Sequence, residues 1–342
     1  MKAGLLYGPG DLRIVDVELP KLGPEDALVR VLRYAPYGTD VSTYLNRGGR
    51  YVRNYPVGIG ADFSGIVEAL GPAVVGIDVG ERVSALAMDH CGQCRNCLSG
   101  RTNLCLDPDI LQAPRQVCCQ THTLVNYRKL ARIPEGVSLD DAAMLTGPVT
   151  AQNALELIGA TIGATVAVVG TGVMGWGTIA TARALGLRVA AIGGNARRAD
   201  LARSLGADPV FEIDHYDHDL VPDVRAAFPQ GFAYVVETTA TEWGQKQSQG
   251  IAALGAHIAL IGGGTLPMTG WDLVLNEFAI FGIRAGHHQE TILAQIAAGR
   301  IDLKPTITHR FALDGAAEAF ALLGGPQVEN VGRVMIDIAP DL

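Results

Sequence analysis

Val166-Ala167-Val168-Val169-Gly170-Thr171-Gly172-Val173-Met174-Gly175 is the stretch whose reading decides the fold. Four apolar residues in succession read as a strand buried on both faces, and the three glycines after them form a G-x-G-x-x-G step. In a chain with 42 glycines that step arises by chance, so its context carries the argument. A helical run over 176–185 follows at once, which makes the whole a strand, a turn and a helix. In such a unit the first glycine permits the tight turn and the second lets the backbone approach a pyrophosphate. The third lets the helix pack on the strand, so that the helix N-terminus faces the phosphates. The alternative is a strand–helix turn that holds no ligand. On the first reading Gly170, Gly172, Val173, Met174 and Gly175 bind a dinucleotide.

The next strand, over 188–192, ends where such a fold chooses between cofactors. A carboxylate there would bond the ribose 2′-hydroxyl of NAD. The sequence instead reads Gly193-Gly194-Asn195-Ala196-Arg197-Arg198, with no acid before Asp200. Without that acid nothing repels a 2′-phosphate, and Arg197 or Arg198 can clamp one through bidentate hydrogen bonds. NADP(H) is therefore the expected cofactor; the competing reading is two arginines on an exposed helix start. Further β-rich runs at 165–169, 234–236 and 257–261 alternate with helix-like segments, the rhythm of βαβ units around a parallel sheet. The expected class is α/β, with a doubly wound parallel sheet over 151–288.

Upstream, residues 1–150 look different. Short apolar runs at 27–32, 65–68 and 82–86 are separated by Gly, Pro and Asp turns, a β-rich pattern that turns helical only over 140–160. Within it four of the six cysteines read Cys91-x2-Cys94-x2-Cys97-x7-Cys105. Four thiolates spaced this closely on one loop, about 89–106, can close a tetrahedron around zinc with no open position, the pattern of a structural site. Disulfides are the alternative, but nothing else in the sequence points to an oxidising compartment. Cys118 and Cys119 are adjacent, face opposite ways on a strand, and suit core packing. The tail, 289–342, holds helix-like stretches at 291–298 and 316–323 and a final strand at 334–338.

Bulk properties exclude other classes. The chain has 342 residues, enough for about two domains. Hydrophobic residues make up 48% and charged residues 18%, which is not a disordered composition. A net charge of −8 argues against nucleic acid or an anionic membrane as the main partner. No apolar run reaches the ~18 residues of a membrane span, and no charged-then-apolar leader opens the sequence; a cytoplasmic protein with a small-molecule substrate is expected.

The β-rich start, the four-cysteine loop and the downstream dinucleotide fold together resemble the medium-chain dehydrogenase/reductase family, in its zinc-containing alcohol dehydrogenase branch. Gly65-Ile66-Val67-Glu68, Val79-Gly80-Glu81-Arg82-Val83, Ile133-Pro134-Glu135-Gly136-Val137-Ser138, Thr308-His309-Arg310-Phe311 and Val331-Gly332-Arg333-Val334 extend the likeness nearly end to end. The resemblance implies a GroES-like catalytic domain, a Rossmann domain, and a C-terminal return to the first. It also implies a homodimer or homotetramer, and Arg333 approaching the cofactor pyrophosphate. Family members with a catalytic zinc carry Cys before Gly-Thr/Ser-Asp, His in Gly-His-Glu, and a Cys or acid before the hinge helix. Here those positions hold Tyr37, Ala61 and Thr146 or a neighbour. Tyr, Ala and Thr do not make the usual N/S/O site. The expectation is one structural zinc on Cys91, Cys94, Cys97 and Cys105, and no catalytic one.

Without a Lewis acid, reduction of a plain ketone loses several kcal/mol of oxyanion stabilisation, so an acceptor that is already electrophilic is expected: an enone or an iminium. Reduction of an ordinary carbonyl or oxidation of an alcohol is the competing activity, and an NADPH-binding sensor or accessory protein the competing class. Tyr37 would donate a proton or hold an oxyanion, or else merely fill the void. Thr39 would contact the substrate oxygen, and Asp62 would orient or replace it, against readings as a turn residue and a paired structural acid. Arg47, Arg50 and Arg53 would receive a substrate anion or lie on a solvated loop.

Overall fold

The computed structural model describes residues 1–47, 52, 54–85, 90–107, 117–213, 215 and 218–340. The chain divides into two compact units: Met1–Leu145 with Gln289–Ala297 and Ile307–Leu342, and Thr146–His288 with Ala298–Thr306.

The first unit is β-rich. A mixed sheet runs in the order Ile307–Ala312, Arg333–Asp337, Asp26–Tyr34, Phe63–Leu70, Arg82–Ala85 and Leu130–Arg132, with His122–Asn126 also pairing Asp26–Tyr34. A second, three-stranded sheet pairs Lys2–Gly8 with Asp11–Asp16 and Val57–Gly58. Leu6, Val29, Val31, Tyr34, Phe63, Val67, Phe320 and Ile336 form one core between them. Each such side chain removed from water contributes about 1.5–3 kcal/mol. The tail returns to this sheet because Arg333–Asp337 pairs antiparallel with Asp26–Tyr34 through Ile336 and Asp337.

The second unit is a six-stranded, all-parallel sheet ordered Val210–Phe211, Arg188–Ile192, Thr165–Val169, Phe232–Glu237, Ala252–Leu260 and Ala279–Gly282. Numbered along the chain that order is 3-2-1-4-5-6, the doubly wound arrangement with its crevice between the first and fourth strands. The opening strand shows why. Val166 and Val168 join Leu155, Trp176 and Ile179 in one core, whereas Ala167 and Val169 join Ile192, Val235 and Ile258 in the other. A period of two with both phases apolar buries both faces, as helices on each side require.

Two expected boundaries move. The break falls at Leu145/Thr146 and not at 150/151, because Thr146–Leu157 is one continuous helix that packs on Val173–Ala184 within the second unit. The tail is not a single return: Ala298–Thr306 belongs with the second unit. The strand expected at 257–261 is Ala252–Leu260, begun early by residues with weak strand propensity that pair with Phe232–Glu237. Among the described residues no helix is long and apolar enough to cross a membrane.

Candidate functional site

The glycine turn has the geometry its sequence implies. Gly170 sits at φ +106°, a conformation open to glycine, and a Cβ there would stand 2.5 Å from the Thr238 hydroxyl. A Cβ on Gly175 would overlap the Gly170 carbonyl oxygen, so the third glycine is what lets the helix Val173–Ala184 reach its strand. Gly172, the N-cap of that helix, is the contrasting case: within 4 Å its Cβ would meet only Arg198 Nη1, at 3.8 Å. A close approach is kept open there, next to a guanidinium. The residues present fit a dinucleotide phosphate: open backbone N–H groups at a helix start and a cation beside them.

At the end of Arg188–Ile192, Gly193 and Gly194 both take positive φ, +99° and +87°. Thr171 donates to the Gly193 carbonyl at 2.9 Å, and Asn195 caps the helix Ala196–Ser204 by accepting from the Arg198 amide at 3.1 Å. Arg198 is half-buried and Arg197 exposed. Two residues absent from the sequence reading also shape this end. Thr238 donates to the Val169 carbonyl at 2.9 Å, and the buried carboxylate of Glu237 accepts from the backbone amides of Thr239 and Ala240 at 2.6 and 3.2 Å. Burial raises the Glu237 pKa, and those hydrogen bonds pull against the rise. No sequence motif marks the pair; only the acid ending the strand over 234–236 hints at it.

The four cysteines converge. The sulfurs of Cys91, Cys94, Cys97 and Cys105 all lie within 4.8 Å of one another, with Cys94–Cys97 at 3.4 Å and Cys91–Cys97 at 4.0 Å. A zinc–sulfur bond of about 2.3 Å sets tetrahedral edges of about 3.8 Å, so the set fits zinc. Backbone N–H groups already point at the sulfurs: Cys91 to Cys105 at 3.3 Å, Cys94 to Cys91 at 3.4 Å, and Leu106 to Cys94 at 3.4 Å. The amides of Leu106 and Cys97 hold the Cys94 thiol down at about 6, whereas burial and the neighbouring thiols push Cys97 up to about 12. Cys118 and Cys119 are fully buried free thiols whose pKa burial raises; they pack in the first unit's core.

The proposed catalytic residues lie in the first unit. Tyr37 is the N-cap of the helix Gly38–Tyr44, half-buried, with its amide donating to Asp40 Oδ2 at 3.1 Å. Thr39 is half-buried in the first turn, and its carbonyl accepts from the Thr43 hydroxyl at 2.8 Å. Asp62 is 1% exposed, as is Arg333. Burial brings the Arg333 pKa down to about 10, and the negative field of Asp62 opposes that fall, so the guanidinium stays charged at neutral pH. Arg333 Nη1 has no hydrogen-bond partner. A buried cationic donor left open in this way fits an anionic group such as a pyrophosphate oxygen. Asp62 thus sits beside Arg333 as a charge partner, which favours its structural reading. Ala61 is buried in the first unit, and Thr146 opens the helix Thr146–Leu157 of the second.

Of the arginine loop, Arg47 is exposed, while Arg50 and Arg53 fall outside the described residues. His287 and His288 stack with ring centroids 4.3 Å apart, and His288 Nε2 lies 3.2 Å from a Glu156 carboxylate oxygen, a packing pair.

Residues 23–135 match the family model described as the alcohol dehydrogenase GroES-like domain, and residues 172–298 the one described as zinc-binding dehydrogenase. An L-threonine 3-dehydrogenase of Rhizobium etli is 30% identical over 334 residues, 94% of each chain. One of Deinococcus deserti is 29% identical over 331 residues, 95% of each. Among solved structures, one described as a zinc-binding dehydrogenase of Sinorhizobium meliloti, bound to NADP, superposes with a TM-score of 0.86 at 26% identity. It covers 98% of this chain and 99% of that one.

Proposed function

Given that the chain belongs to the zinc-containing alcohol dehydrogenase-like branch of the medium-chain dehydrogenases/reductases, and so to the nicotinamide-dependent oxidoreductases, we propose that it is an NADPH-dependent reductase of electrophilic C=C or C=N acceptors. The observation that carries this reading is the residue set at the three positions where relatives hold a catalytic zinc. By resemblance those positions fall at Tyr37, at Ala61 and at or near Thr146, which supply no imidazole, thiolate or carboxylate. The cofactor preference rests on the strand end: Gly193 and Gly194 offer no carboxylate to a ribose 2′-hydroxyl, and Arg198 reaches to within 3.8 Å of the Cβ position on Gly172.

When bound, reduced nicotinamide supplies a hydride. Every other requirement falls on the chain. The backbone amides at the start of Val173–Ala184 and the guanidinium of Arg198 hold the cofactor's anionic groups. The charge of Asp62 opposes the fall in the pKa of the buried Arg333. For an enone, the Tyr37 hydroxyl would give its proton to the reduced acceptor and recover one from water. For an iminium, reduction takes up no proton, so Tyr37 would have no donor role. Thr39 holds the acceptor oxygen in the first case and has none to hold in the second.

A second reading, oxidation of a secondary alcohol, draws on the relatives named L-threonine 3-dehydrogenase. The deciding experiment counts zinc per chain and then supplies 4-deuterated NADPH with cyclic enones, cyclic iminium ions and secondary alcohols in turn. One zinc with stereospecific deuterium transfer to an enone or iminium is the expected result. Two zincs with turnover of alcohols only overturns the proposal. Tyr37→Phe should lower enone reduction about 100-fold and leave iminium reduction within about threefold, since only the former needs a proton.

A further inference from the structure

The absent acid at the end of Arg188–Ile192 leaves a space, and the structure shows what fills it. A Cβ built on Gly193 would stand 3.0 and 3.3 Å from Cη2 and Cζ3 of Trp243, the far edge of the indole's six-membered ring. Trp243 is the second residue of the helix Glu242–Ile251. Its Nε1 donates to the His218 carbonyl at 2.8 Å, which fixes the pyrrole end and turns the benzene end to Gly193. Trp243 is half-buried, packs against the second unit's core, and stands at the start of the helix that follows Phe232–Glu237, at the carboxyl end of the parallel sheet, where doubly wound folds bind ligands. The floor beside it is rigid: Gly193 donates to the Phe211 carbonyl at 2.8 Å, Thr171 holds the Gly193 carbonyl, and Ile213 donates to the Gly194 carbonyl at 3.0 Å. Arg198 lies along the same floor, with its Cβ 3.1 Å from the Cβ position on Gly194.

We propose that Trp243 is the adenosine-binding wall of the cofactor site and, with Gly193, its specificity-determining pair. The indole occupies the volume that a side chain at position 193 would need, an NAD-selecting carboxylate included. In exchange it offers a ring for the adenosine to lie against, while Arg198 takes the phosphate end. This inference rests on the NADP(H) reading of the strand end but goes beyond it, since selectivity then depends on a residue fifty positions away in the sequence.

The test uses the zinc-loaded full chain with adenosine 2′,5′-bisphosphate and 5′-AMP as probes. Neither carries a nicotinamide, so a change in tryptophan emission reports contact at the adenosine end. Calorimetry runs alongside. The bisphosphate should bind and quench emission, and Trp243→Phe should remove most of the quenching. The remaining Trp176 is 1% exposed, and Trp271, at 72%, sits on the helix Gly270–Asn276. Trp243→Ala should weaken the bisphosphate about 10- to 100-fold, with Trp243→Phe recovering most of the loss, because base–aromatic contact survives in the smaller ring. Unchanged bisphosphate affinity in Trp243→Ala, with melting temperature preserved, overturns the wall and leaves the NADP(H) reading standing. Tighter binding of 5′-AMP than of the bisphosphate, with quenching intact, overturns the NADP(H) reading and supports the wall. Gly193→Asp should tighten 5′-AMP at least threefold more in the Trp243→Ala background than in the parent; equal effects in both overturn the exclusion half of the pair.

Discussion

The cysteine lobe around 91–105 and the glycine turn around 170–175 are both short segments shaped for a group the polypeptide does not itself supply, yet they are held in opposite ways. The lobe is specified by side chains that are present: four sulfurs within 4.8 Å of one another and hydrogen bonds from nearby amides. Without a cation that crowding has nothing to neutralise it. The turn is specified by side chains that are missing, and its backbone is pinned by Thr171, Thr238 and the strand on either side. The contrast predicts a lobe that depends on a metal for its order and a turn that does not.

Stripping the metal should break that comparison most visibly. Structural zinc contributes on the order of 10 kcal/mol to folding small cysteine sites, so chelation or Cys97→Ser should abolish amide protection across 91–105. Hydrogen exchange in Thr165–Val169 should stay unchanged. Equal protection in the lobe before and after chelation would mean that it stands without metal. The acid dependence of metal release sharpens the point. Loading must displace the proton that Cys97, with its pKa near 12, carries at neutral pH, so that ligand alone makes affinity fall at least tenfold per unit as pH drops. Cys94, near 6, adds to that slope only as pH falls to and below 6, and a competition titration with a chelator from pH 8 to 5 should show the steepening.

Gly175→Ala comes next. Its Cβ would overlap the Gly170 carbonyl oxygen, and separating helix from strand should cost about 3 kcal/mol, read as a lower melting temperature and lost cofactor affinity. Gly172→Ala is the smallest in stability and the most discriminating. Its added Cβ meets only Arg198 at 3.8 Å and its φ is −103°, so folding should change by no more than about 0.5 kcal/mol. Cofactor affinity should nonetheless fall at least tenfold, since the methyl stands where a phosphate must approach. If both alanine variants lose stability equally, the turn is held by the same means at both glycines and the contrast fails.

Much of this was open to a reader of residues alone. Thr165–Val169 and Arg188–Ile192 have the bounds expected of them, because each opens on one polar residue, Thr165 or Arg188, and continues as four buried apolar ones. The Cys91-x2-Cys94-x2-Cys97-x7-Cys105 spacing names its own chemistry, since sulfurs that near in sequence meet within one loop. The Leu145/Thr146 division was less legible: Ala142, Ala143, Met144 and Leu145 continue the apolar character of the helix that follows, and only packing assigns that helix to the second unit. Glu237 and Thr238, which shape the floor of the cofactor turn, carry no motif at all.

The sequence by itself determined the class of protein, the four-cysteine cluster, the glycine turn between strand and helix, and the lack of an acid at the end of Arg188–Ile192. Each of those is a local matter, settled by spacing along a few residues. The tertiary structure alone decided that Trp243 fills the space beside Gly193, that Arg333 is a fully buried cation with an open donor, and that the charge of Asp62 opposes the fall in its pKa. Those relations join residues 50 to 271 positions apart, and no periodicity reaches that far: within the second unit parallel strands bring Trp243 to Gly193, and within the first the returning tail carries Arg333 into the core.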